Sequence, residues 1–304
     1  MKKTVLITGG SGLLAINWAL AIRESYVVTL GLHQRDISLA NVETCQIDLG
    51  SSNHLERLFE TIRPQIVIHA AGFTSVEQCE SHPDLARHIN VELAVNVART
   101  CAKLSVPMVH ISSDHLFSGK EALVDETYPT APINVYGQTK AEAESLVLEA
   151  CPHVLVIRTN FYCWGPSYRR SFSDIIIESL RSSRELILFK DVYYTPVLIE
   201  TLAHAVHELI DLKAHGIYQV VGDERISKYE FGIKIAEQFN LDSRIIKPGC
   251  LIDQTALIQR PHDMSLSNNK TCNMLGRRLG GVKEHISRLH WLEMSGFTQE
   301  ILNL

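Results

Sequence analysis

Tyr136 and Lys140 stand four residues apart in the run Tyr136-Gly137-Gln138-Thr139-Lys140. On a helix that spacing puts both side chains on one face. A free phenol titrates near pH ~10, too high to exchange protons efficiently near neutrality. An ammonium held beside it favours the ionised form and lowers that value. Such a pair can move a proton on or off a carbonyl or alcohol oxygen. The same spacing also arises by chance on exposed helix faces, so it carries chemistry only where a dinucleotide site precedes it.

The first residues supply that site. Thr4 to Thr8 reads as a short apolar strand, and a helix follows from about Leu13 to Glu24. Between them Gly9, Gly12 and Ala15 have the G-x-x-G-x-x-A spacing of a dinucleotide fingerprint. The first glycine permits the tight turn, the second lets backbone approach a pyrophosphate, and the small third residue lets helix and strand pack closely. The anion then meets free amides at the helix N-terminus, which brings in Ser11, Leu13 and Leu14. The other reading is a turn without a ligand. Which dinucleotide binds depends on the end of the second strand, where an NAD site usually carries an acid. Here the chain reads Leu30-Gly31-Leu32-His33-Gln34-Arg35, and Asp36 comes late. His33 and Arg35 suit a 2′-phosphate, so NADP(H) is expected, with NAD(H) still open and Arg35 as a plain surface residue the alternative. Asp48, followed by Leu49, is expected near the adenine or else as a helix cap.

The elements that must position these groups alternate. Strands are expected at Tyr26–Leu32, ending at Asp48, at Gln65–His69, Pro107–Ile111 and Val154–Arg158. Helices are expected at about 52–62, 84–104 and 136–150. Ala70-Ala71-Gly72 and Ser112-Ser113-Asp114 are the turns that leave the fourth and fifth strands. Strict alternation implies an α/β fold, a doubly wound parallel sheet with helices on both faces. After Arg158 the rhythm loosens, with loops at 161–168 and 191–196, helices at 172–182, 196–212 and 227–239, and a late strand at 216–221. A Rossmann domain of residues 1–158 plus about 196–221 is expected. A smaller, discontinuous α/β substrate domain takes about 159–195 plus 222–304.

A length of 304 residues allows this organisation. A net charge of -5 argues against a general nucleic-acid binder. No apolar run reaches membrane-spanning length. Met1-Lys2-Lys3 leads into an apolar run too short for a signal peptide. The seven cysteines are scattered without a Cys-x-x-Cys pair, as expected of reduced thiols in a cytoplasmic protein. The 14 histidines show no convincing metal spacing, His204 and His207 included, so no metal is expected. A homodimer is the expected assembly.

Thr8-Gly9-Gly10-Ser11-Gly12, His69-Ala70-Ala71-Gly72, Ser112-Ser113-Asp114 and Tyr136 to Lys140, in this order, resemble the extended short-chain dehydrogenase/reductases. With Val109 to Phe117, Asn134-Val135-Tyr136-Gly137, Arg158-Thr159 and Arg260-Pro261, the chain is most similar to the dTDP-4-dehydrorhamnose reductase group, over nearly its whole length. The resemblance implies NADPH-dependent reduction of the C4 ketone of a nucleotide-linked deoxysugar. It implies that Tyr136 protonates the developing alkoxide. Lys140 lowers the phenol pKa and holds the nicotinamide ribose. Ser113 hydrogen-bonds the carbonyl oxygen, with Ser112 its neighbour and possible substitute. Ala70, Ala71, Gly72 and Ser112 join the cofactor site. Asn90 matches an asparagine that orders the site, or else sits on a solvated helix face. Asp191 to Pro196 resembles a loop that closes on substrate. Arg260 can meet a nucleotide diphosphate, or pair with Asp263 or a neighbour. Arg169 and Arg170 form a basic spot, open to a diphosphate or to solvent.

The chain departs from that group on the substrate side. His115 stands where the group has an aromatic residue, and Asn160-Phe161-Tyr162-Cys163-Trp164 where it tends to read Ser-Trp. Asp114, His115, Asn160 and Phe161 are therefore expected substrate contacts, with a packed loop histidine the other reading of His115. An epimerase of the same superfamily would favour an acid after the second strand. A dehydratase would add an Asp-Glu pair beside the catalytic Ser/Thr, and here His115 follows Asp114. A rival of another class is a non-catalytic, NADP-binding regulatory subunit, like that of methionine adenosyltransferase.

Overall fold

The computed structural model describes residues 2–254 and 256–304. Seven strands form one parallel sheet: β1 (Thr4–Thr8), β2 (Val27–Leu32), β3 (Glu43–Gln46), β4 (Ile66–His69), β5 (Met108–Ile111), β6 (Leu155–Arg158) and β7 (Gly216–Gln219). Their order across the sheet is β7-β6-β5-β4-β1-β2-β3. The order reverses between β1 and β4, the switch point at which doubly wound sheets open a crevice beyond the strand C-termini.

Each strand is an apolar run because both sheet faces are covered. Helices α1 (Leu13–Ile22) and, later in the chain, Ile199–Asp211 pack together over one face, with Trp18, Leu202 and Val206 buried there. On the other face lie α2 (Ser52–Ile62), α3 (Leu93–Leu104) and α4 (Val135–Ala150), which bury Leu55, Ala98 and Val147. Side-chain caps start two of these helices. Ser51 accepts from the His54 amide at 3.2 Å, and Asn134 accepts from the Gly137 amide at 2.9 Å.

The expected helix over 84–104 is broken in register. Pro83–Arg87 passes through a π-helical turn at His88–Glu92 before α3 begins. Such turns widen one loop of the hydrogen-bond ladder, and this one carries Asn90.

The remaining segments sit beside the C-terminal edge of the sheet. They hold three short ladders absent from the sequence expectations. Phe161–Tyr162 pairs with Val197–Leu198, Tyr193–Tyr194 with Ile226–Ser227, and Leu186–Phe189 with Ile246–Gly249. In each of the first two, one partner lies in an expected loop, at 161–168 or 191–196, and the other at the start of an expected helix. Phe231 is fully buried, with Tyr162, Tyr194 and Phe172 packed on it at ring separations of 4.9, 5.7 and 6.0 Å. One apolar cluster runs from Val5 and Ile7 of β1 through to Phe231 and Leu289, so this region shares its core with the sheet.

Candidate functional site

Gly9 leaves β1 with φ +69°, and a Cβ there would come within 2.8 Å of the Ala71 backbone. Only glycine avoids both the strain and the clash. The turn after β1 therefore lies directly against the turn after β4. Thr8 fixes the same junction, for its hydroxyl accepts from the Ala70 and Ala71 amides at 3.2 and 3.3 Å and bonds His69 Nδ1 at 2.9 Å. Helix α1 then starts at Gly12 with no side-chain cap and no acid in its first turn. Its first amides are open to an anion.

A cleft of about 1000 Å³ opens at this switch point. Gly9, Ser11, Gly12, Leu13, Leu14, His33, Arg35, Ala70, Ala71, Gly72, Ser112, Tyr136, Lys140 and Phe161 all line it. The cleft thus gathers residues from the ends of β1, β2, β4 and β5 and from α4. Uncapped amides, a glycine cradle and a basic rim fit a dinucleotide.

Tyr136 and Lys140 are on the buried face of α4, one turn apart. The helix comes close to the β5 loop because residue 137 is glycine: a Cβ there would lie 2.3 Å from the His115 carbonyl oxygen. Lys140 Nζ donates to the Ile111 carbonyl at 2.7 Å. One turn further along α4, Glu144 takes a two-pronged bond from Arg158 of β6, at 3.0 Å from Nε and 2.8 Å from Nη2. The Tyr136–Lys140 face of α4 is thereby tied to two strands.

The electrostatics correct one expectation. The phenol is not lowered. Burial pushes Tyr136 up to about 12, while the Ser113 hydroxyl pulls the other way and Asp114 adds to the rise. Burial also pushes Lys140 down to about 8, with Glu144 opposing. Desolvation, which disfavours each charged form, is the largest cause of both shifts. Without cofactor the site holds a neutral phenol, ready to give a proton rather than take one.

Other expected residues are brought in less directly. Asn90 is buried, not on a solvated face. Its amide accepts from the Phe73 amide at 2.7 Å and donates to the Phe73 carbonyl and to Thr139 of α4, each at 3.0 Å. It braces the turn after β4 against α4 and does not line the cleft. Asp48 and Leu49 are also outside the lining. The Asp48 carboxylate accepts from the Gly50 amide at 2.9 Å, and Ser51 rather than Asp48 caps α2. Of the expected substrate contacts, Phe161 lines the cleft, whereas Ser113, Asp114, His115, Asn160 and Arg260 lie outside its lining. Asp114 is bonded by Asn160 and lies 3.4 Å from the Ser113 hydroxyl. His115 is packed edge-on against Tyr136 at 5.4 Å, with its pKa lowered by burial. Arg260 pairs with Glu77, not with Asp263, which is held by Arg225. The Asp191 carboxylate accepts from the Leu251 amide at 2.9 Å. No group of three or more potential metal ligands exists among the described residues. Nor, among them, is any helix long and apolar enough to cross a membrane.

The sequence profile of the family described as RmlD substrate binding domain matches residues 1–293. The chain belongs to this family. A dTDP-4-dehydrorhamnose reductase of Bacillus anthracis, solved in complex with NADP, superposes with a TM-score of 0.84 at 26% identity, covering 96% of this chain and 99% of that one. The probable low-salt glycan biosynthesis reductase Agl14 of Haloferax volcanii is 26% identical over 275 residues, 89% of this chain and 91% of that protein. Methionine adenosyltransferase 2 subunit beta of Mus musculus is 27% identical over 308 residues, 94% of this chain and 87% of that protein.

In this RmlD-family chain the cleft also takes in Tyr168, which had no signal in the sequence. Tyr168 donates to the Ser11 carbonyl at 2.9 Å, and its ring supports the Arg35 guanidinium at 3.9 Å. Arg35 is therefore held at the cleft rather than free on the surface. Arg169 lines the cleft and donates to Thr74 at 2.9 Å, whereas Arg170 pairs with Glu178. Asp36, set aside as late, also lines the cleft, with Gln46 donating to it at 2.8 Å.

Proposed function

We propose that this chain is a reductase that uses NADPH to convert the C4 ketone of a nucleotide-linked deoxysugar to an alcohol, in the manner of dTDP-4-dehydrorhamnose reductase. The observation that carries this reading is the Tyr136–Lys140 face of α4 at the mouth of the switch-point cleft. When bound, the nicotinamide supplies the hydride. Tyr136, a neutral phenol at working pH, gives its proton to the oxygen as negative charge develops there. An alkoxide is far more basic than a phenoxide, so the transfer runs downhill even from a phenol at about 12. Ser113 donates to the same oxygen and orients the carbonyl. Lys140, charged below about 8, holds the ribose and stabilises the phenolate left behind. Arg35, set on Tyr168, meets the 2′-phosphate, which favours NADP(H) over NAD(H). Arg260 meets the nucleotide diphosphate once released from Glu77. The region of residues 159–195 plus 222–304 is the substrate side.

A second reading is a non-catalytic NADP-binding regulatory subunit. It is favoured by the way Asp114, Asn160, Arg260 and Glu77 satisfy one another behind the cleft, and by the methionine adenosyltransferase subunit among the relatives. Titration calorimetry with NADPH and NADH, each with and without dTDP, separates the two. Tight NADPH binding with a distinct dTDP site, followed by turnover of a dTDP-4-keto sugar, supports the reductase. NADPH binding with no affinity for any nucleotide diphosphate supports the subunit.

A further inference from the structure

Lys228 opens the helix Lys228–Gln238, whose cap Ser227 forms a capping box with Glu230. A helix N-terminus is the positive end of the helix dipole, where a cation is disfavoured. The Lys228 ammonium lies 3.3 Å from the ring centre of Tyr194 and 4.8 Å from that of Phe172. Aromatic faces attract a cation, but they offer it no oxygen. Among the described residues no carboxylate oxygen lies within 4.0 Å of it. Burial pushes its pKa down to about 8, Asp114 acts to restore the charge, and Arg260 opposes it. Asp114 is engaged by Asn160 and faces Ser113, and Arg260 is paired with Glu77. A helix end, an arginine and an ammonium thus meet Asp114 and Glu77 in one corner, beside Ser113. Asn160 bonds one of these carboxylates and Arg260 pairs with the other, so Lys228 feels Asp114 at a distance and holds no ion pair of its own.

We propose that Lys228 is a substrate contact whose ammonium donates to an oxyanion carried by the substrate, a diphosphate oxygen or a sugar carboxylate. The inference rests on the nucleotide-sugar reading above and adds its substrate-side cation. A hydrogen bond to a charged group is worth enough to change affinity about tenfold or more.

The test is calorimetry on the full chain and two variants, with dTDP, UDP-glucose, UDP-glucuronic acid and NADPH as ligands. Lys228→Met keeps an apolar stem against Tyr194 and Phe172 and removes the charge, while Lys228→Arg keeps the charge. Thermal melts confirm that each variant is folded. If the oxyanion is the diphosphate, Lys228→Met weakens dTDP and both sugar nucleotides about tenfold or more. NADPH is unchanged, and Lys228→Arg stays within a few-fold of wild type. If it is a carboxylate, dTDP is unaffected, and a preference for UDP-glucuronic acid over UDP-glucose is present in wild type and lost in Lys228→Met. Binding of every ligand to Lys228→Met as to wild type overturns the proposal and leaves a lysine held by aromatic faces alone. Wild-type protein that binds NADPH but none of the three nucleotides overturns the sugar-nucleotide reading, and the role of Lys228 falls with it.

Discussion

Raising the pH should disarm Lys140 well before an ordinary lysine would titrate. Its ammonium is buried and donates to the Ile111 carbonyl at 2.7 Å, and desolvation pushes its pKa from 10.5 down to about 8. The charged form grips the cofactor in the proposed mechanism, so activity belongs to the protonated side of that value. One pH unit above it, about a tenth of the protein keeps the ammonium, and each further unit costs about another tenfold. The quantity to follow is kcat/KM for NADPH at saturating ketone, from about pH 6 to 10, because it reports the free protein rather than the complex. Calorimetric NADPH affinity over the same range reads the same limb without turnover. A limb at pH 10 or above, or none at all, would refute the reasoning, since Lys140 would then be either solvated or unnecessary. Stability moves with the opposite sign. Between about 8 and 10.5 the unfolded chain binds the proton that the folded chain has released, so the Lys140 contribution to stability grows as the pH rises through that window.

Three further outcomes follow from the geometry. Tyr136→Phe should lower kcat by about 10²–10⁴-fold while NADPH affinity stays within a few-fold, because in the proposed mechanism the phenol donates the proton and the ring only packs; unchanged turnover in a stopped-flow assay would remove Tyr136 as the acid. Arg35→Ala should weaken NADPH far more than NADH in calorimetry, since the guanidinium stacked at the cleft is the proposed contact of the 2′-phosphate; equal losses would return Arg35 to a packing role. Glu144→Gln leaves the Arg158 guanidinium buried and uncompensated, at a cost of about 3–5 kcal/mol in denaturant unfolding; an unshifted midpoint would mean that water reaches the pair.

The alternation of strand and helix up to Arg158 was legible because buried parallel strands must be continuous apolar runs, and Gly9, Gly12 and Ala15 announce the turn that joins the first two elements. The late strand β7 was legible for the same reason. The ladder of Leu186–Phe189 with Ile246–Gly249 was not, since its partners are far apart in sequence and each is short. The π-helical turn at His88–Glu92 was hidden because it preserves a helical composition while shifting which side chains face inward. It carries Asn90, whose two readings were an ordering residue and a solvated position, as a buried brace. Among the expected site residues, those in the turns after β1, β2 and β4 line the cleft because chain connectivity sets their positions, whereas Asp48 and Leu49 after β3 do not. Tyr168 and Thr74 reach the cleft only through tertiary contact and carry no local pattern, and of the basic pair at 169 and 170 the sequence left open which member faces it. The partner of Arg260 was open for the same reason, and the structure chose Glu77, 183 residues away, over the nearby Asp263.

The sign of the Tyr136 shift is the point at which local pattern and folded environment disagree, and it bears on the direction of chemistry. A Tyr–Lys pair read from spacing alone suggests a phenolate, the base that an alcohol oxidation needs. In the folded chain both members are desolvated and both move toward neutrality, Tyr136 up to about 12 and Lys140 down to about 8. At neutral pH only about one protein in 10⁵ would then hold a phenolate. Nearly every molecule holds a phenol whose proton is available to a more basic alkoxide. The charges that could lower the phenol must therefore arrive with ligands or develop during the reaction. For the proposed chemistry the resting site is set to complete a reduction, and oxidation by the same pair would require the pH, or a bound cation, to remove a proton first.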